Sequence, residues 1–160
     1  MTVATMARKV DMPRKEVPPT LELVKGRIEE LLPPDARREI DEGRVVLIDV
    51  RDPGRYEAGH LKGAVNVASG ESARDAHSND YAEAIKETGA GPEDRLILYC
   101  GQGNRSARTA DALRNEHGFE SVASIIGGAK LWSDLGYPIE GEITVGAEEA
   151  ETDLEEDGEG

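Results

Sequence analysis

The stretch Leu96-Ile97-Leu98-Tyr99-Cys100-Gly101-Gln102-Gly103-Asn104-Arg105-Ser106 carries the reading of the fold. Its first four residues are a short apolar run of the kind that makes a strand buried on both faces. Beyond the loop, Ala107, Ala110, Leu113 and Arg114 recur at helical spacing and predict a helix from about Asn104 to His117. The stretch is therefore half of a strand–loop–helix unit, and in open α/β sheets ligands bind just beyond the carboxyl ends of such strands. Gly101 and Gly103 allow a tight loop whose backbone N–H groups turn inward, forming an anion-binding nest at the positive end of the helix. Gln102, Asn104, Arg105 and Ser106 complete that loop, and Arg105 and Ser106 can add donors. The field that attracts an anion also stabilises a thiolate, so Cys100 is expected to be a nucleophile near neutral pH. The alternative for a free cysteine is a small buried hydrophobe.

Working outward, Val45-Val46-Leu47-Ile48 repeats the apolar β-branched pattern, and Ser121 to Ile125 supplies a third short strand. Helices are predicted from Pro34 to Glu42, where Gly43 stops the helix, around Asp80 to Lys86, and from Ala129 to Leu135. Leu21, Val24, Ile28 and Leu31 recur at helical spacing and predict one amphipathic helix before Pro33-Pro34. Strand and helix alternate, which predicts an α/β domain with a mainly parallel central sheet covered by helices on both faces. Residues 1–20, with Pro13, Pro18 and Pro19, read as a flexible lead-in, 21–140 as the domain, and 141–160 as an acidic, disordered tail.

Composition narrows the function. A chain of 160 residues that is 38% hydrophobic suits one core. There is no apolar run of the ~18 residues a membrane span needs, and the basic start at Arg8, Lys9, Arg14 and Lys15 has no apolar segment behind it, so a cytoplasmic protein without membrane contact is expected. A single cysteine excludes an internal disulfide and any cysteine-rich metal cluster. The three histidines are scattered, and no metal site is expected. Of the formal charge of -14, most lies at the end: ten acids and no Lys or Arg from Glu140 onward leave 23 acids against 19 bases before it. The domain is thus only mildly acidic, which disfavours nucleic acid as a ligand. The tail reads as a solubilising end, or as a docking segment for a basic partner.

Three motifs, taken together, carry a family resemblance. Asp49-Val50-Arg51 followed by Gly59-His60-Leu61-Lys62-Gly63-Ala64-Val65-Asn66, then the Cys100-x-x-Gly103-x-Arg105-Ser106 loop, then Gly127-Gly128 with Trp132, Gly136 and Pro138, resemble in order the signatures of rhodanese-like domains. The resemblance implies a three-layer α/β/α fold, a persulfide on Cys100, and thiosulfate or another persulfide as sulfur donor. It needs no cofactor. In that frame Asp49, Arg51 and His60 read as a polar network bracing loops beside the strand ends, Trp132 as core, and Gly127-Gly128 as a turn needing open backbone angles.

The chemistry expected is sulfur transfer. Thiosulfate is a dianion that a nest of N–H groups with Arg105 can hold while Cys100 attacks its outer sulfur. With no second cysteine, the acceptor must be external: a thiol, cyanide, or a protein partner in a sulfur relay. Two other readings stand beside it. One is a non-catalytic persulfide carrier or regulatory binding module. The other is a cysteine phosphatase or arsenate reductase, but those loops place five residues between cysteine and arginine, and here there are four. The segment Ala68 to Asp80 is polar in place of an apolar wall and is predicted to border the site; Glu71, Arg74 and His77 read there either as residues that tune donor or acceptor choice or, as is commoner in a surface loop, as merely solvated side chains.

Overall fold

The computed structural model describes residues 20–70 and 74–143. The lead-in before Thr20, the tail from residue 144 onward and Glu71 lie outside the described residues. Along the chain run α1 (Leu21–Lys25), β1 (Glu29–Leu31), α2 (Pro33–Glu42), β2 (Val45–Asp49), α3 (Pro53–Ala58), β3 (Gly59–Leu61), β4 (Val65–Asn66), α4 (Asn79–Glu87), β5 (Arg95–Tyr99), α5 (Asn104–Asn115), β6 (Ser121–Ile125), α6 (Gly128–Asp134) and β7 (Ile139–Gly141).

Five strands form one sheet in the order β1-β6-β5-β2-β4, and every pairing in it is parallel. The period-two alternation of the strands sorts their side chains between two cores. Leu96 and Leu98 of β5 join Ile48, Tyr81, Ile85, Ala110, Leu113 and Phe119 beneath α4 and α5. Ile97 and Tyr99 point the other way, to Ala36, Leu47, Ile125, Ala129 and Trp132 beneath α2 and α6. The three-layer α/β/α arrangement expected from the sequence is the one observed. Trp132 is core, 2% exposed, and its indole N–H donates to Pro138 O at 3.0 Å.

The first helix differs from expectation. The spacing of Leu21, Val24, Ile28 and Leu31 predicts one helix, but α1 ends at Lys25, and Glu29–Leu31 is an edge strand beside β6. Gly26 closes the helix, its N–H donating to Glu22 O and Leu23 O. Beyond it the open edge of the sheet wins over local spacing: Ile126 N donates to Leu31 O at 2.8 Å. Two arginines, making three ion pairs, fix the change of direction. Arg27 grips the buried Asp111 carboxylate of α5 with two bonds of 2.7 Å, and Arg95 of β5 bridges Glu29 and Glu39. A second, two-stranded antiparallel sheet, β3 with β7, was not expected from the sequence. It closes the domain by laying its last strand beside the Gly59–Leu61 segment.

Candidate active site

Cys100 directly follows β5, the central strand of the sheet, and is fully buried. Its Sγ accepts hydrogen bonds from Gly103 N at 3.1 Å and Ser106 N at 3.3 Å. Both amides belong to the loop and first turn of α5, so the sulfur lies at the positive end of a helix of 12 residues. Gly103 stands before that first turn with φ 105, a left-handed conformation that favours glycine. Close packing adds a second reason for glycine there, since a Cβ at Gly103 would lie 3.1 Å from Gly127 N.

A second helix holds the other side of the loop. The carbonyls of Cys100 and Gly101 point away from Sγ and are taken up by the N-terminus of α6, Ala129 N donating to Cys100 O at 2.8 Å and Lys130 N to Gly101 O at 3.0 Å. This requires the backbones almost to touch. Gly127 and Gly128 have φ 81 and 58, and a Cβ on Gly128 would fall 2.4 Å from Cys100 O. The pair is thus a turn with open backbone angles, as its sequence predicts, and also a clamp on the Cys100 loop, which the sequence did not reveal.

The remaining predicted residues fall into distinct places. Arg105 is buried, with NH1 3.9 Å from Asp52 Oδ1. Ser106 contributes its amide to Sγ, while its hydroxyl lies 2.8 Å from Ser124 Oγ and donates to Gly103 O at 3.3 Å. Gln102 and Asn104 are half-buried. At the end of the neighbouring strand β2, Asp49 and Arg51 form a buried pair whose guanidinium also donates to Gly59 O at 2.7 Å. Tyr99 donates to Asp49 Oδ2 at 2.6 Å and accepts from Leu61 N. Burial, with the Asp49 carboxylate beside it, pushes the Tyr99 phenol far above its ordinary range, so it stays a donor. His60 stands apart from this pair: stacked on Tyr56, it contacts Tyr56 O through Nδ1 and Glu140 through Nε2.

Among the described residues, the polar segment after β4 meets the first turns of α5 through Ser69. Ser69 Oγ lies 2.8 Å from Thr109 Oγ1, which donates to Arg105 O. His77 is exposed, in keeping with the solvated reading, and contacts Glu116. Glu116 caps the far end of α5, roughly 18 Å from its N-terminus at 1.5 Å per residue. Arg74 accepts through its carbonyl from Gly70 N. Ser124, Asp52 and the α6 amides were missed by sequence reasoning, because each reaches the loop from an element distant in the chain; Thr109, on α5 itself, was missed because its partner Ser69 lies 40 positions away.

A mainly parallel α/β/α sandwich, with a thiol at the end of its central strand whose sulfur accepts from backbone amides, defines the class of domain to compare. The model of the rhodanese-like domain family matches residues 32–135, and the chain belongs to that family. Thiosulfate sulfurtransferase GlpE of Pseudomonas syringae pv. syringae is 35% identical over 109 residues, which cover 68% of this chain and 91% of that protein. Adenylyltransferase and sulfurtransferase MOCS3 of Drosophila ananassae is 31% identical over 106 residues, 64% of this chain but only 23% of that longer protein. Among solved structures, the polysulfide-sulfur transferase homodimer from Wolinella succinogenes superposes with a TM-score of 0.61 at 25% identity, covering 76% of this chain and 85% of that one. No helix among the described residues is long and apolar enough to cross a membrane.

Proposed function

We propose that this protein is a sulfurtransferase that carries a sulfane sulfur as a persulfide on Cys100, taken from thiosulfate or a persulfide and passed to an external thiol or cyanide. The observation that carries the reading is the position of Sγ, within reach of Gly103 N and Ser106 N at the start of α5. Two amides fixed by a rigid frame favour negative charge on sulfur without reorganising during the reaction. The thiolate attacks the outer sulfur of the donor, the Cys100–S bond forms as the donor's S–S bond breaks, and sulfite departs with the electron pair. From a persulfide donor the departing group is a thiolate. The acceptor then attacks the outer sulfur of the Cys100 persulfide, and the bond to Sγ breaks to return the thiolate. Each step is a two-electron displacement at sulfur, with donor and acceptor supplying every atom exchanged.

Arg105 is the cation assigned to donor capture. Four residues separate it from Cys100, and a ring of that size suits a sulfur atom better than a phosphoryl group with its equatorial oxygens. Since Sγ is fully covered, a donor has to part the side chains around the loop before attack. The test is thiocyanate formation from thiosulfate and cyanide. Turnover by the native protein and none by Cys100→Ser, with thermal stability retained, is the expected result. Equal rates in the two proteins would remove Cys100 from the mechanism.

A further inference from the structure

Asp52 follows the Asp49-Val50-Arg51 turn and occupies the position just before α3, where an aspartate ordinarily accepts a hydrogen bond from an amide of the first turn. Its side chain makes no such cap. The carboxylate stands instead 3.9 Å from Arg105 NH1, with the arginine side chain 9% exposed and the aspartate side chain 41% exposed. That separation is an ion pair without a hydrogen bond. It brings an acid from the end of β2 to the single arginine of the Cys100 loop, across 53 positions of sequence.

We infer that Asp52 is a donor-selectivity residue, biasing the site against dianionic donors such as thiosulfate and toward monoanionic sulfane donors such as a small alkyl persulfide. The inference rests on the sulfurtransferase reading above and narrows its substrate class. Arg105 attracts an anion, and the neighbouring carboxylate cancels part of that attraction. The Coulomb term scales with the charge of the ligand, so a dianion feels the cancellation about twice as strongly as a monoanion. For an alkyl persulfide the balance is simple: Cys100 thiolate attacks the terminal sulfur, the alkyl-bearing sulfur leaves as a thiolate with the electron pair, and the persulfide anion remains on Cys100. Asp52 acts through Arg105 and has no contact with the reacting sulfur in this reading. Its effect therefore falls on KM and spares kcat.

Two donors of nearly the same shape separate charge from fit: thiosulfate, a dianion that releases sulfite, and methanethiosulfonate, a monoanion that releases methanesulfinate. Kinetics with each, at low and high salt, are compared for the native protein, Asp52→Asn and Asp52→Ser. Asn and Ser are both good residues at a helix start, so at least one variant retaining the native melting temperature is expected. Removal of the charge should lower KM for thiosulfate about two- to fivefold, the scale of a partly exposed ion pair, with kcat unchanged. KM for methanethiosulfonate should fall by less, and both differences should shrink as salt screens the pair. If all three proteins gain one sulfur on Cys100 but KM for the two donors shifts equally or not at all, the inference falls and the sulfurtransferase reading stands. If the native protein gains no sulfur from either donor, both fall together.

Discussion

Asp49 and Tyr99 are partners across adjoining parallel strands, so the ends of β2 and β5 occupy equivalent places in the fold, and position alone predicts that they serve alike. They do not. At the end of β5 backbone amides of Gly103 and Ser106 face Sγ, and the residues that shape the loop include glycines. At the end of β2 the working groups are side chains: a buried carboxylate bonded to the Arg51 guanidinium and to Tyr99, with Arg51 N donating to it as well at 2.8 Å. The acid is committed to neighbours on every side, which suits a brace and leaves little for proton transfer. The comparison sets backbone N–H groups facing the cysteine sulfur against buried ionic side chains one strand away, which brace Tyr99 and the Gly59 backbone.

Cutting the brace should give the largest effect on stability. Asp49→Ala leaves the Arg51 guanidinium buried without its carboxylate, and breaking such a pair costs about 3–5 kcal/mol. Denaturant unfolding would read that loss, while the fraction of folded protein that accepts sulfur on Cys100 should be little changed; lost acceptance with intact stability would make Asp49 a participant in the chemistry. On the other side of the comparison, Arg105→Ala deletes a charge-assisted contact to the donor worth about 1.5–3 kcal/mol, read as a raised KM for thiosulfate. An unchanged KM would take Arg105 out of donor capture. At the clamp a backbone clash adds to the conformational cost. Gly128→Ala forces a left-handed residue at about 1–2 kcal/mol and drives its Cβ toward Cys100 O. Because the clash falls on the loop carbonyl, sulfur loading should slow more than the melting temperature falls, and native loading would show that the clamp does not set the direction of the amides.

The parts of this arrangement that were legible in the sequence are the local ones. A four-residue apolar run before Cys100, glycines at 101 and 103, and helical spacing from Ala107 to Leu113 place the thiol at a strand end under a helix start without reference to any other element. Strand β1 was hidden for the opposite reason. Three residues, two of them glutamates, carry no strand pattern of their own, and only the open edge beside β6 makes them one. The clamp by α6 was half visible: Gly127-Gly128 signals a turn, but the carbonyls it approaches lie 27 positions earlier. Asp52 carries no signal at all beyond its place after a motif, since an aspartate before proline reads equally well as a helix start.

The central claim is that Cys100 carries sulfur under those amides, and an intact-mass spectrum of the reduced protein after incubation with thiosulfate tests it most directly. The account predicts one added sulfur atom that is lost on treatment with a reductant and is absent from Cys100→Ser. No added sulfur, from thiosulfate or from a small persulfide, or the same addition in Cys100→Ser, would contradict it.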